Sequence, residues 1–191
     1  MVLDYMKASG QITPDIEMKA EYYINLGYQR LITFEVPSGG FSLYGEAPAS
    51  VWLSAYGLME MYDMNKVYPI DEKIIDRTKQ WLISQQSPDG SWKADSYSSW
   101  EAAGNTNSDL RVTAFVAWSL AQSGYEGEPL RKAVNYIKSS INKEKDFYTL
   151  SLVANLLLYT DPKGQETKNL LETLYKGRTE NKDSVSWTTD G

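Results

Sequence analysis

The feature that most constrains this chain is an alternation between two kinds of helical segment. Residues 15–33, 71–86, 129–142 and 162–176 each carry one apolar stripe at helical spacing, whereas 49–63, 109–123 and 147–159 are apolar around most of their circumference. In a simple up-and-down bundle every helix shows a comparable stripe. A helix that is apolar all round needs cover on both sides, and a half-apolar helix needs it on one, so two layers satisfy both kinds. The pattern predicts an all-α fold, an α/α toroid of repeated outer and inner helix pairs. Residues 1–191 read as a single partial domain of that kind, an incomplete ring with helices missing at both ends. Its interior is expected to hold Trp52, Tyr56, Ala114, Ala117, Val153 and Leu157.

Local chemistry marks the helix boundaries. Thr13-Pro14-Asp15 offers a cap, a proline at the first helical position and an early acid, and Pro129 opens another helix in the same way. Ile70-Asp71 followed by Ile75 fits a hydrophobic staple around an Asp cap. Gly10, Gly124 and Gly177 stand where helices should stop. A weak internal repeat supports the pairing: Tyr28, Trp81 and Tyr136 recur on the amphipathic segments, and Ser54-Ala55-Tyr56 matches Thr113-Ala114-Phe115 on the apolar ones. The loops of the first two repeats carry Gly39-Gly40-Phe41 and Asp89-Gly90-Ser91-Trp92, and no segment has strand periodicity.

Composition narrows the chemistry. There is no histidine and no cysteine, so these residues hold neither the commonest general base at neutral pH nor a thiolate. The 25 acids outnumber the 19 bases and the charges are interspersed, which gives nucleic acid no basic stripe to bind. No apolar run reaches the length that spans a bilayer, and the N-terminus lacks a signal peptide's regions.

Loop carboxylates at Glu46, Asp95, Glu101 and Asp109 suggest paired acids acting on a glycosidic bond, but loop acids are usually solvated and Asp109 suits a helix N-terminus. The string Gln85 to Trp92 has the Gln, Asp-Gly and Trp spacing seen in squalene and oxidosqualene cyclases; here it reads as a turn whose tryptophan closes the layer beneath. Neither an Asp-x-Asp-Asp nor an Asp-Asp-x-x-Asp string occurs, and no calcium-loop succession of oxygens is present, so no catalytic residue, metal or cofactor is assigned. The candidate binding residues are Phe41, Tyr44, Trp92, Tyr97 and Trp100, aromatics of two loops that precede apolar helices. They form either one exposed contact patch or an inward plug.

The segments Ile24 to Glu35, Gly39 to Met64, Thr78 to Trp92 and Leu110 to Tyr125 together resemble the thioester-domain region of α2-macroglobulin-like proteins, particularly the bacterial and archaeal branch. The resemblance implies a toroid within a large extracellular or periplasmic protein that traps proteases. Its partners would then be other domains of the parent chain and proteases, and its role that of an interaction scaffold rather than an enzyme. The family's thioester motif, Cys-Gly-Glu-Gln in type, lies upstream of the part resembling Val2 to Tyr5 and is not in this sequence. The histidine that some relatives carry before the inner helix also has no counterpart in Tyr97 to Asn107. A carbohydrate-active or terpene-cyclase-like enzyme on the same toroid is the alternative.

Overall fold

The computed structural model describes residues 2–95 and 108–188. Among them the fold is all-α, with one short exposed hairpin, and the chain divides into two compact units, 1–84 and 85–191.

The first unit contains α1 (Val2–Ala8), α2 (Pro14–Ile32), α3 (Val51–Asn65) and α4 (Glu72–Ser84). Helix α4 lies along α3 and buries one stripe, Ile74, Ile75, Thr78 and Leu82, against it. Helix α3 buries Trp52, Ala55, Leu58 and Met61. Tyr56, expected inside, is instead 51% exposed. Together with Leu53 and Glu60 it forms the row of α3 that turns away from the core, while Gly57 on the next row lies against the Phe41 ring. Helix α2 buries none of its residues fully, and Ile16 and Tyr23 of its apolar stripe are exposed. A stripe is buried only where a second layer meets it, and α2 touches α3 far less than α4 does.

The second unit contains α5 (Asp109–Gln122), α6 (Glu128–Ser140), a short 3₁₀ turn (Ile141–Lys143), α7 (Phe147–Thr160) and α8 (Gln165–Lys176). Every residue from Leu110 to Ala117 is buried, more than two full turns, as cover on all sides requires. Helix α7 packs against α5 over its length, α6 covers α5, and α8 covers α7. The covering helices contribute single stripes, Leu130, Ala133 and Ile137 from α6 and Thr167 and Leu170 from α8. This is the two-layer pairing that the alternation of apolar segments predicts. Ala114, Ala117, Val153 and Leu157 sit in its interior, as Trp52 does in that of the first unit.

Side-chain caps open all three apolar helices, and the covering helix α4 has one too, Asp71 accepting the Lys73 N–H at 3.0 Å. Each apolar helix starts on a side chain that accepts a backbone N–H: Ser50 from Leu53 (3.2 Å), Ser108 from Arg111 (3.3 Å) and Asp146 from Thr149 (2.8 Å). The covering helices α6 and α8, and α2, have no such side-chain bond; their first residues are exposed, α2 begins on Pro14 and α6 has Pro129 as its second residue. Thr13, read as a cap, therefore does not act as one through its side chain.

The sequence offered no strand, yet Thr179–Asn181 pairs antiparallel with Ser184–Ser186 around Lys182-Asp183. All six strand residues are exposed, so no buried face imposes the alternation by which strands are recognised. Trp187 ties the hairpin's end to α8, its indole N–H donating to the Leu174 carbonyl at 2.7 Å.

Candidate interaction surface

Both units use the same device to enter an apolar helix. In the first, Val36-Pro37-Ser38-Gly39 is a turn closed by the Gly39 N–H on the Val36 carbonyl (2.9 Å), with the Val36 N–H on Gly40 (2.8 Å). In the second, Ser87-Pro88-Asp89-Gly90 is closed by the Gly90 N–H on Ser87 (2.9 Å), with the Ser87 N–H on Ser91 (2.8 Å). The next residue is an aromatic whose backbone N–H is taken by a hydroxyl of the following helix: Phe41 by Ser54 (2.8 Å), Trp92 by Thr113 (2.9 Å). The repeat seen in the sequence is thus a hydrogen-bonding repeat, and it explains why Ser54 and Thr113 correspond.

The turn glycines are required by approach as well as conformation. Gly90 has φ +90°, and a Cβ there would stand 2.6 Å from the backbone oxygen of Lys132 in α6. Strain of this kind costs on the order of 1–3 kcal/mol, so Gly90→Ala should lower the urea midpoint clearly, whereas Gly10→Ala, with open space around its Cβ, should pay only the conformational part. Gln86 fastens the second turn to α6, donating to Gly90 (3.0 Å) and Pro129 (2.8 Å). The Ser91 hydroxyl and amide hold the Asp89 carboxyl below the ordinary aspartate value.

The five candidate binding aromatics therefore divide. Phe41 is 3% exposed and Trp92 wholly buried, so these two do not form a surface; they plug the layers from beneath their loops. Tyr44 is 78% exposed, on the turn that follows Phe41. Tyr97 and Trp100 lie outside the described residues, as does Glu101. Of the carboxylates, Asp109 is taken up locally, accepting from the Ala94 N–H (3.0 Å) and pairing with Lys93 (2.7 Å). Glu46 is exposed.

Three features were not legible in the sequence. Arg111 is buried in α5, donating through Nε to Thr149 (3.0 Å) and through Nη2 to Asp146 (2.9 Å) of α7. Burial opposes ionisation of Asp146, but the Thr149 hydroxyl and amide and the Arg111 guanidinium outweigh it and hold that carboxyl below its ordinary value. The Ser42 hydroxyl and the Trp118 indole N–H are buried without a hydrogen-bond partner. Of these, Arg111 alone gave a hint, as the one basic residue in a mostly apolar helix.

A loop that seats an aromatic under an inner helix, repeated along a two-layer all-α chain, is the arrangement expected of the thioester-domain region, and the sequence matches the family model described as the A-macroglobulin TED domain over residues 1–191. The chain belongs to this family. The TED domain is 25% identical to the mouse (Mus musculus) alpha-2-macroglobulin-like protein 1 over 99% of its own length, and 25% identical to ovostatin of Gallus gallus over 97%. A stretch covering 49% of the chain is 38% identical to the human (Homo sapiens) ovostatin homolog 1. The chain spans 14% and 13% of the length of the first two relatives. No helix among the described residues is long and apolar enough to cross a membrane.

Proposed function

We propose that this TED domain is a non-enzymatic interaction scaffold of an α2-macroglobulin-like protein and that it contributes to trapping proteases, outside the cell or in the periplasm. The observation that carries this reading is the match to the A-macroglobulin TED domain along the entire chain, with relatives aligned over nearly all of it. The structure is compatible with a scaffold: many of its described polar side chains serve caps, turns and ion pairs between elements, among them Arg111–Asp146, Lys7–Glu17 and Lys138–Glu166. In this reading the helix pairs form part of an α/α toroid, the loop carrying Tyr44 meets neighbouring domains or the captured protease, and Phe41 and Trp92 hold their loops from below.

The test uses the parent protein and an added endopeptidase. The parent should slow cleavage of a large protein substrate and co-elute with the protease, and deleting residues 1–191 should abolish both. A folded parent that neither retains nor inhibits any endopeptidase would refute the reading. Tyr44→Ala should weaken association about threefold to tenfold without moving the thermal midpoint, since an exposed aromatic anchor contributes to binding and not to the core. A lowered midpoint with association intact would remove Tyr44 from the contact surface. With no cysteine, residues 1–191 alone should incorporate no methylamine.

A further inference from the structure

Helices α5 and α7 run parallel. The Arg111–Asp146 pair joins their first turns, and their last turns meet the first half of α6 around an open cavity of about 520 Å³, at the opposite end of α5 from the Trp92 turn. Local chemistry brings two tyrosines there. Gly124, at φ +76°, ends α5, and the Tyr125 N–H closes the end on the Leu120 carbonyl (3.0 Å). Gly127, which precedes α6, leaves the space that Tyr125 fills, since a Cβ on it would overlap the Tyr125 hydroxyl. Tyr159, 56% exposed, comes from the last turn of α7. Ala121, Leu130 and Val134 supply the apolar part of the lining.

The polar groups of this cavity divide into spent and unspent. Lys138 pairs with Glu166 (2.7 Å) and Asp161 (3.6 Å); Arg131 pairs with Glu128 (3.5 Å) and donates to the Glu126 carbonyl (3.1 Å). Both cations already have counter-charges, so an entering anion finds none free. The Tyr125 and Tyr159 hydroxyls and the Asn135 amide, in contrast, have no partner among the described residues, and each of these side chains can donate and accept. The exposed Glu126 carboxylate, also without a cation among those residues, accepts only. A cation would meet that one carboxylate beside the two bases. What the unspent groups match is a neutral molecule with several hydroxyls, which both donate and accept, on a carbon frame that covers the apolar lining and the tyrosine rings. Small-molecule sites run to roughly 300–1,000 Å³, and this cavity falls within that range.

We infer that this cavity binds a neutral sugar ring, its hydroxyls bonded to Tyr125, Asn135 and Tyr159 and its C–H face laid on a tyrosine ring. The site lies within residues 121–161 and goes beyond the proposed function; it would serve equally in a parent that captures no protease.

The experiment follows amide resonances of the isotope-labelled chain during titration with glucose, the methyl glycosides of glucose, galactose and mannose, and N-acetylglucosamine. At least one should shift the resonances of Gly124, Tyr125, Asn135 and Thr160 saturably, while glucuronate and choline, an anion and a cation of related size, should not. Glucose binding that is lost in methyl glucoside assigns a free sugar, and binding that persists in a methyl glycoside assigns the terminal ring of a glycan; either supports the site. Tyr159→Phe should weaken binding about threefold and Asn135→Ala about threefold to tenfold, the worth of a hydrogen bond, and Tyr159→Ala should weaken it about tenfold or more, as an aromatic anchor is also lost. The thermal midpoint should not move in any of these variants, since both side chains are exposed. No saturable response to any of the sugars, shifts scattered over the surface, or binding indifferent to Tyr159→Ala and Asn135→Ala would each overturn the proposal. Choline or N-acetyl-tyrosinamide binding more tightly than every sugar would overturn it in favour of an ammonium group or a peptide.

Discussion

Trp92→Ala should lower the thermal midpoint of unfolding by roughly 10 °C, the equivalent of about 3–5 kcal/mol for emptying a fully buried tryptophan site. The ring is completely enclosed, and its backbone N–H is held by Thr113, so the residue is fixed at both ends and the site has little freedom to collapse into the space left behind. Trp92→Phe keeps most of the apolar volume and should lose less than half as much. Thr113→Val removes the hydroxyl that receives the Trp92 N–H and should cost about 1–2 kcal/mol by leaving that donor unpaired. Thermal denaturation followed by far-ultraviolet circular dichroism orders the three variants. If Trp92→Ala were as stable as the parent sequence, the inward placement of the ring would be wrong and the aromatic would belong on the surface after all.

Asp146→Ala should be comparably severe, about 3–5 kcal/mol, because it strands a buried guanidinium as well as removing a helix cap. Arg111 has a side chain only 7% exposed, and Asp146, 21% exposed, is its charge partner while also accepting the Thr149 N–H and hydroxyl. Asp146→Asn can still cap α7 and should cost less. Replacing the pair together, Arg111→Met with Asp146→Asn, should recover much of the single-variant loss, since a buried ion pair contributes little beyond what apolar packing would. The pair also fixes the direction of the pH dependence. The folded-state pKa of Asp146 lies below its ordinary value, so its contribution is complete above the unfolded pKa and is lost as pH falls through the folded one. Urea midpoints should therefore show this term as flat from pH 7 to about 5 and as a decline below about pH 4, a decline that is shallower in Asp146→Asn. A variant with the same acid slope as the parent sequence would mean that Asp146 does not carry it.

The layered all-α architecture was legible because helix periodicity records how many sides of a segment are buried. Leu110 to Ala117 could be nothing but an enclosed helix, and Leu130, Ala133 and Ile137 nothing but a covering one. The candidate surface was less legible, because an aromatic in a polar loop has the same local sequence whether its ring faces water or the core. Phe41 and Trp92 went inward because the turn before each one lays its backbone against a hydroxyl of the next helix, a contact between residues 13 and 21 positions apart. Tyr44 stayed outside because the chain turns again between Ser42 and Gly45.

What the sequence by itself determined is therefore the set of helices, their division into enclosed and covering kinds, the turns with their glycines, and the family. Each of these is written within one helix or one turn, where the spacing of neighbours along the chain is also their spacing in space. Tertiary structure alone decided that Tyr56 faces outward, that the α2 stripe stays largely uncovered, that Arg111 finds Asp146 on another helix, and that Ser42 lines an apolar cavity with its hydroxyl unpaired. Those outcomes depend on which element arrives against a given face, and no residue's neighbours in sequence carry that information.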